Sequence, residues 1–335
     1  MAVTIKDVAK MAGVSISTVS RVINDSKPVS PESRRKVLHA IETLGYEPNE
    51  IARSLVTKRS NLIGVIVDDI GNYYISQIVR GIEEIGRMYN YDIVLCSSYG
   101  DAETELKFLQ LLRSKQVEGV IIASEIINKE LIDLVDKLRI EIMYLNRYYS
   151  IPELPTITID TEKAINLMMD HLKDLGHRKI VYLTQENDID LRIENTKIKT
   201  YKEAMKNMGS QPLVHRVDSH RIDGGYKAGP KLVEILQKHD ATAVFCCQDE
   251  LAIGLMNYMY DNNIKVPEDV SVVGYGDISV AGIYRPALTT IREPYYDIGA
   301  VAIRKILKEL IGESIDDRNI ELPVRLIKRK SSQRI

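Results

Sequence analysis

The sequence is poor in the residues that build disulfide frameworks and zinc sites. It holds only three cysteines in 335 residues, Cys96, Cys246 and Cys247, and their number and spacing suit neither kind of site. The six histidines fall on separate segments and form no metal-binding spacing. We therefore expect reduced, buried thiols and no bound metal.

Long apolar runs are missing as well. No segment approaches the roughly 18–20 consecutive apolar residues that a membrane-spanning helix needs. Near the start of the chain, Lys6 and Asp7 interrupt the stretch where a secretion signal would place its apolar core. The composition, 44% hydrophobic and 27% charged, is typical of a soluble folded protein. We expect a cytoplasmic protein without membrane contact.

Familiar catalytic motifs are also absent. The sequence has neither G-x-S-x-G nor H-E-x-x-H. Residues 224–231 carry glycines at phosphate-loop spacing, but Pro230 stands where the lysine of such a loop must be. We therefore expect neither enzyme activity nor a cofactor.

What the sequence does have is an uneven distribution of charge. The formal net charge is −2, but residues 1–60 hold ten Lys and Arg against six Asp and Glu. This segment therefore carries +4 and the remainder −6. A basic segment on an acidic body indicates a polyanionic partner for that segment.

The first 46 residues predict three short helices around a small core. Apolar residues recur at helical spacing over 5–12, Gly13 interrupts the pattern, and Ser15 is placed to cap a second helix. A third helix begins after Ser30 and stops at Gly45. Residues 47–61 form a polar, basic connector, too short to be stable alone.

After residue 62 the chain alternates between short β-branched runs and amphipathic segments. Continuous apolar strands separated by helices predict parallel sheets that are covered on both faces. The runs occupy residues 62–67, 93–96, 120–123, 142–145, 156–159, 180–183, 243–247 and 270–275. Because these are too many for one open sheet of usual size, we expect an α/β body of two doubly wound lobes with a ligand cleft between them.

The segment GVSISTVSRVIN (13–24) has the pattern of a DNA-reading helix-turn-helix. Such a helix places its N-terminal residues at base edges in the major groove. Ser15, Ile16, Ser17 and Thr18 form its first turn, and Arg21 follows three residues later. Arginine reads guanine, and isoleucine can contact a thymine methyl. An ordinary helical hairpin with a polar outer face remains the alternative from this pattern alone.

The chain as a whole resembles the LacI/GalR repressor family. The resemblance rests on residues 4–24 and 28–60, and on TAVFCCQDELAIG, VPEDVSVVGYGDIS and PALTTIREP in the body. It implies a helix-turn-helix head over 1–46 and a hinge helix with linker over 47–61. It also implies a periplasmic-binding-protein-like body, with one lobe at 62–160 and 291–320 and the other at 161–290 and 321–330.

The same resemblance implies the DNA contacts. The hinge helix over 48–55 would fold in the minor groove, with Leu55 as a wedge in the central base step. The implied DNA-binding residues are Thr4, Ser15, Ile16, Ser17, Thr18, Arg21, Asn24, Tyr46, Asn49, Ala52, Arg53 and Leu55. Because one small head contacts few bases, we expect a homodimer on pseudo-palindromic operator DNA.

The sequence leaves two regulatory signals for the body as alternatives, a small-molecule effector and a protein corepressor. The family default is a sugar or sugar-phosphate effector in the cleft, here near Asn72, Tyr73, Lys197, Gln248 and Asp277. The sequence departs from that pattern, since Lys197, Gln248 and Gly276 stand where the family usually has Arg, Asn and Asp. A lysine does not reproduce a bidentate arginine clamp. A sugar-responsive repressor of a carbohydrate operon is therefore the alternative interpretation.

The favoured signal is a protein. Residues 78–95, 115–121, 154–164 and 293–308 are similar to the catabolite control branch of this family. That similarity implies carbon catabolite control, mainly by repression, with serine-phosphorylated HPr as corepressor. It places Arg304 on the phosphoserine, since arginine pairs well with a phosphoryl group. The other implied corepressor contacts are Met88, Tyr89, Tyr295, Tyr296 and Asp297.

Overall fold

A computed structural model describes residues 3–25, 27–46, 59–124, 129–138, 140–145, 155–186, 192–313 and 319–335. The chain divides into two units, Met1–Asn61 and Leu62–Ile335. Within the described ranges, no helix is long and apolar enough to cross a bilayer.

Residues 3–25 and 27–46 of the first unit contain three helices, as the sequence predicted. They are α1 (Ile5–Ala12), α2 (Ile16–Asn24) and α3 (Pro31–Leu44). Gly13 separates α1 from α2 in the left-handed conformation, at φ 66°, which glycine adopts without a steric penalty. The helices enclose a small core around the fully buried side chains of Val8, Val19 and Val37.

The second unit has alternating strands and helices. Its strands are β1 (Leu62–Val67), β2 (Asp92–Ser97), β3 (Gly119–Ala123), β4 (Glu141–Tyr144), β5 (Thr156–Ile159), β6 (Ile180–Gln185), β7 (Leu213–Val217), β8 (Ala243–Cys246), β9 (Ser271–Tyr275), β10 (Thr289–Arg292), β11 (Asn319–Leu322) and β12 (Arg325–Ile327). Its helices are α4 (Tyr73–Met88), α5 (Ala102–Ser114), α6 (Lys129–Leu138), α7 (Thr161–Asp174), α8 (Arg192–Asn207), α9 (Ile222–His239), α10 (Asp249–Asp261) and α11 (Tyr295–Leu310), with a 3₁₀ turn at Ser279–Gly282.

The strands form two sheets, one for each lobe. The first has the order β11-β5-β4-β3-β1-β2 and is parallel throughout. The second has the order β12-β10-β9-β8-β6-β7, with β12 alone antiparallel to its neighbour. This α/β architecture confirms the predicted fold class. Central strands are buried along their length, because helices cover both faces of a parallel sheet.

The chain passes between the lobes more than once, and two of the predicted boundaries need correction. Thr289–Arg292 pairs within the second sheet and Asn319–Leu322 within the first. The expected boundaries at 291 and 320 therefore fall inside strands. Each boundary moves to the C-terminal side of its strand, because a strand must stay whole to complete its ladder of hydrogen bonds.

The contact between α4 and α11 is unusually close. A Cβ added to Gly81 would lie 2.1 Å from the carbonyl oxygen of Tyr296, and one added to Gly299 would lie 2.0 Å from that of Ile78. Real side chains do not tolerate such overlaps, so each helix requires a glycine at the contact. The two helices consequently pack as one rigid pair.

A buried carboxylate organises the cleft side of the second lobe. Asp249, at the start of α10, accepts hydrogen bonds from the Thr290 hydroxyl at 2.5 Å and the Ile278 amide at 2.9 Å. A Cβ on Gly274 would lie 2.2 Å from its Oδ1, so that glycine makes room for the carboxylate. Burial raises the pKa of Asp249 to about 7, against the opposing effect of its hydrogen bonds.

We expect Gly81→Ala to lower the free energy of unfolding by about 3 kcal/mol, because the new methyl group overlaps backbone that cannot move away. Urea denaturation followed by circular dichroism measures the change. Gly282→Ala is the matched control, since the nearest atom to its added Cβ is 3.6 Å away. Equal stability of the two variants would contradict the close packing.

We expect Asp249 to make stability depend on pH. Folding raises the pKa of Asp249. Its contribution to the free energy of unfolding is therefore fully present below the pKa of the unfolded chain, 3.8, and is lost as the pH rises through about 7. Between pH 5 and 8 the wild type should lose about 3 kcal/mol relative to Asp249→Asn, which cannot titrate. Urea denaturation at several pH values measures this difference. A curve for Asp249→Asn that stays parallel to that of the wild type would contradict the account.

Candidate nucleic-acid interface and effector cleft

The first turn of α2 is built around a cluster of hydroxyl groups. The Ser15 hydroxyl oxygen caps the helix by accepting from the Thr18 amide at 3.2 Å. It also lies 2.7 Å from the Ser17 hydroxyl and 2.9 Å from the Thr18 hydroxyl. The cluster fixes the start of α2 and holds these three side chains in place.

Two long side chains of α2, Ile16 and Arg21, are exposed. Ile16 is 45% exposed, and Arg21 is exposed, with no ion pair among the described residues. Val19 and Val22 occupy the opposite, buried face. One face of α2 therefore presents an apolar side chain and an unpaired guanidinium, the two chemistries that read a thymine methyl and a guanine edge.

Three other predicted DNA contacts have structural roles in the head. Thr4 donates to the Asp7 carboxylate from its amide at 3.0 Å and from its hydroxyl at 2.7 Å, and these bonds lower the pKa of Asp7. The amide nitrogen of the Asn24 side chain donates to the Ser20 hydroxyl at 3.2 Å. Tyr46 packs against the head core. The hinge contacts Asn49, Ala52, Arg53 and Leu55 lie outside the described residues.

In the cleft, Asp277 is held by two arginines. Its carboxylate receives Arg292 Nε at 2.5 Å and Arg329 Nη2 at 2.6 Å, and its side chain is only 5% exposed. The residue has φ 52°, just after Gly276, so the chain turns sharply at the end of β9. The predicted hydroxyl acceptor is thus already engaged within the chain.

Lys197 is buried at 4% exposure and is also engaged. Its ammonium lies 3.7 Å from Glu194 Oε2, 3.4 Å from the Cys247 carbonyl oxygen and 3.9 Å from the centre of the Tyr275 ring. Glu194 was missed from the sequence, although its position three residues before Lys197 on α8 is the spacing of a helical ion pair. Because the Lys197 ammonium and the Glu194 carboxylate both leave water when the protein folds, each needs the other as an ion-pair partner.

Glu194 is itself held by neighbouring hydroxyls. Tyr182 donates to its Oε1 at 3.0 Å and Thr184 at 2.6 Å. Complete burial and then the Glu194 charge raise the pKa of Tyr182 well above its ordinary value, so that its hydroxyl stays a donor.

The remaining cleft residues lie at the first turns of helices. Asn72 precedes α4 and Gln248 precedes α10, and neither side chain caps its own helix. Tyr73 follows Asn72 and is half-buried against the apolar cluster that contains residues of both lobes. Partial burial, then the charges of Asp277 and Asp249, raise the pKa of Tyr73.

The predicted corepressor residues divide into exposed and buried groups. Met88 is 73% exposed and Tyr89 55%, and Asp297 and Arg304 are exposed on α11. Tyr295 is a correction: it is only 7% exposed and its ring lies 5.9 Å from that of Tyr74. It therefore belongs to the packing between α11 and α4 and does not face outwards.

Tyr296 takes part in a network between the two helices. Its hydroxyl donates to Glu84 Oε2 at 2.9 Å, and Glu84 Oε1 receives Arg80 Nε at 2.8 Å. The hydrogen bond to Glu84 raises the pKa of Tyr296, while the charge of Arg304 acts in the opposite direction. Arg304 itself has no ion pair in the ranges that the structure describes.

Both units match known families. Residues 4–49 match bacterial regulatory proteins of the lacI family, and residues 169–332 match the periplasmic binding protein-like domain. The chain is 37% identical to the HTH-type transcriptional regulator RegA of Clostridium saccharobutylicum over 334 residues, which cover 99% of this chain and all of that protein. It is also 37% identical over 339 residues to catabolite control protein A of Priestia megaterium, with the same coverage.

Solved structures agree with these sequence matches. The Lac repressor dimer bound to operator and the anti-inducer ONPF is 28% identical to this chain, with a TM-score of 0.88 over 99% of this chain and all of that one. The head, the two-sheet body and the full-length relatives lead to the same conclusion. The chain belongs to the LacI family of DNA-binding transcription regulators, among relatives that include catabolite control protein A and RegA.

Proposed function

We propose that this regulator acts in carbon catabolite control as a homodimer on a pseudo-palindromic operator, and that serine-phosphorylated HPr raises its affinity for DNA. One observation carries the proposal. The charged groups expected to bind a small effector, Lys197 and Asp277, are paired within the chain, while Arg304 on the outer surface has no ion pair among the described residues.

The outer surface suits a phosphoprotein. The Arg304 guanidinium provides charge-assisted hydrogen bonds that match a phosphoserine. Met88 and Tyr89 add adaptable apolar area at the C-terminal end of α4. Tyr296 is oriented by Glu84, which in turn is held by Arg80. These residues belong to the rigid α4–α11 pair, so they form a surface that is ordered before the partner arrives.

The head suits sequence-specific binding to DNA. Arg21 is free to make a bidentate contact with guanine, and exposed Ile16 can pack on a thymine methyl. The proposed hinge helix would add Leu55 as a wedge in the minor groove at the operator centre.

Exposed apolar side chains on the second lobe support the homodimer. They are 41–81% exposed, namely Ile222, Tyr226, Tyr260, Val280 and Ile283. The backbone of Ile222 lies against Gly254 in α10, and Tyr226 donates to Asp261 at 2.9 Å, so these two side chains lie where α9 packs on α10. A monomer would leave these side chains in water, whereas a second copy would cover them.

A sugar-responsive local repressor is the second candidate. Gln248 supports it, because this half-buried residue lies between β8 and α10 and its side chain does not cap α10. In this case a sugar or sugar phosphate would bind near Asn72, Tyr73 and Gln248, and Asp277 would have to exchange an arginine for the ligand.

We expect Arg21→Ala to weaken binding to the operator about 10- to 100-fold and to leave binding to random DNA nearly unchanged, because the lost contact reads a base. Fluorescence anisotropy at one fixed salt concentration measures both affinities. Arg35→Ala removes the same charge from an exposed site on α3 and should leave the ratio of the two affinities unchanged. An unchanged ratio for Arg21→Ala would rule out its role in reading DNA.

We expect Arg304→Ala to abolish the gain in operator affinity on adding serine-phosphorylated HPr, without changing operator binding by the protein alone. The reason is that the variant loses the group that pairs with the phosphate. Lys308→Ala, one turn later on the exposed side of α11, is the control and should respond normally. A normal response by Arg304→Ala would contradict the proposal that Arg304 binds the phosphoserine.

A further inference from the structure

The geometry points to Arg221 as a clamp between the two lobes, a positioning residue that holds them in the arrangement that binds operator DNA without a small molecule in the cleft. The part of this inference that concerns DNA rests on the proposed function. The part that concerns the lobes stands on the structure of the body alone.

Arg221 makes contacts in both lobes. It immediately precedes α9 in the second lobe, and its Nη2 donates to Asn72 Oδ1 in the first lobe at 3.2 Å. Its Nη1 donates to Glu250 Oε1 on α10 at 3.3 Å. The Glu250 carboxylate holds the planar guanidinium in the second lobe through Nη1, and the second terminal nitrogen, Nη2, extends across the cleft to Asn72.

The Asn72 side chain is committed to this contact. Asn72 occupies the position that precedes α4, where asparagine ordinarily accepts a hydrogen bond from an amide of its own first turn. It makes no such capping bond here. Its side-chain oxygen accepts a hydrogen bond from Arg221 instead. The first turn of α4 therefore lacks the local capping bond, and Asn72 is bonded to a residue 149 positions away in the sequence.

A second observation places the same end of α4 beside the second lobe. Tyr73, the first residue of α4, is half-buried against the apolar cluster that contains residues of both lobes. Partial burial, and after it the carboxylates of Asp277 and Asp249 in the second lobe, raise the pKa of the Tyr73 hydroxyl. The hydrogen bond from Arg221 to Asn72 therefore lies where the first turn of α4 already packs close to the second lobe.

The clamp and the proposed corepressor surface share one rigid body. Backbone contacts at Gly81 and Gly299 leave no space between α4 and α11. Met88, Tyr89 and Arg304 lie on this pair of helices. The first turn of α4 directly follows Asn72, the residue that Arg221 contacts. Any partner that shifts the pair must therefore change the geometry at Asn72, and by linkage the clamp must change the affinity for that partner.

The first test is a double-mutant cycle on operator affinity with the full chain, using Asn72→Ala, Arg221→Ala and both together. We expect each single variant to weaken operator binding about threefold, the size of a partly exposed contact, and the double variant to be no weaker than either. Arg178→Ala removes an exposed arginine that donates to the carbonyl oxygens of Lys173 and His177 in its own lobe, and this variant should bind as the wild type does. Additive effects, unchanged affinity or tighter binding would each overturn the coupling to DNA.

The second test measures the lobes directly. Nitroxide labels at Lys107→Cys and Lys238→Cys, on exposed positions of α5 and α9, report the distance between lobes, and the three natural cysteines are buried. Labelled chains are diluted with unlabelled ones so that only pairs within one chain are observed. We expect Arg221→Ala to broaden the distance distribution of the wild type. An unchanged distribution would overturn the clamp, whatever the protein does on DNA.

Discussion

A charge that leaves water must be paired, and the cleft of this protein meets that requirement from within the chain. Asp277 lies between Arg292 and Arg329, and Lys197 lies between Glu194 and the ring of Tyr275. A ligand that claimed Lys197 would first have to separate it from Glu194, and removing one partner from a buried pair costs about 3–5 kcal/mol. This pairing favours the cleft without a small molecule and supports the proposal that the signal enters elsewhere.

The α4–α11 pair is the element through which such a signal can act. It carries the exposed residues of the proposed corepressor surface, and it is too tightly packed at Gly81 and Gly299 to deform locally. Its first turn is attached to the other lobe through the hydrogen bond from Arg221 to Asn72. A packed core of this kind transmits a displacement instead of absorbing it. The same pair therefore links the outer surface, the cleft and the relative position of the lobes.

Much of this could be predicted from the sequence. All eight apolar runs are strands of the two sheets, and the three head helices and the doubly wound body were expected. The strands outside those runs include Leu213–Val217 and Asn319–Leu322 at sheet edges. No residue of either strand is fully buried, and no apolar run marks them in the sequence. Pairing partners were harder to predict. Arg221 is close to Asn72 only because the fold brings α9 and α4 together. The pair of Glu194 and Lys197, in contrast, is local to α8, and its spacing of three residues was present in the sequence. The burial of Tyr295 was also missed.

The central claim is that a protein, and not a sugar, controls DNA binding. The most direct measurement is a titration of the wild-type protein onto a labelled palindromic duplex with a central CG step, followed by anisotropy at one salt concentration. It is made alone, with serine-phosphorylated HPr, and with a panel of sugars and sugar phosphates. The account predicts tighter binding with the phosphoprotein and no shift with any small molecule. A shift caused only by a sugar, with none from the phosphoprotein, would contradict it.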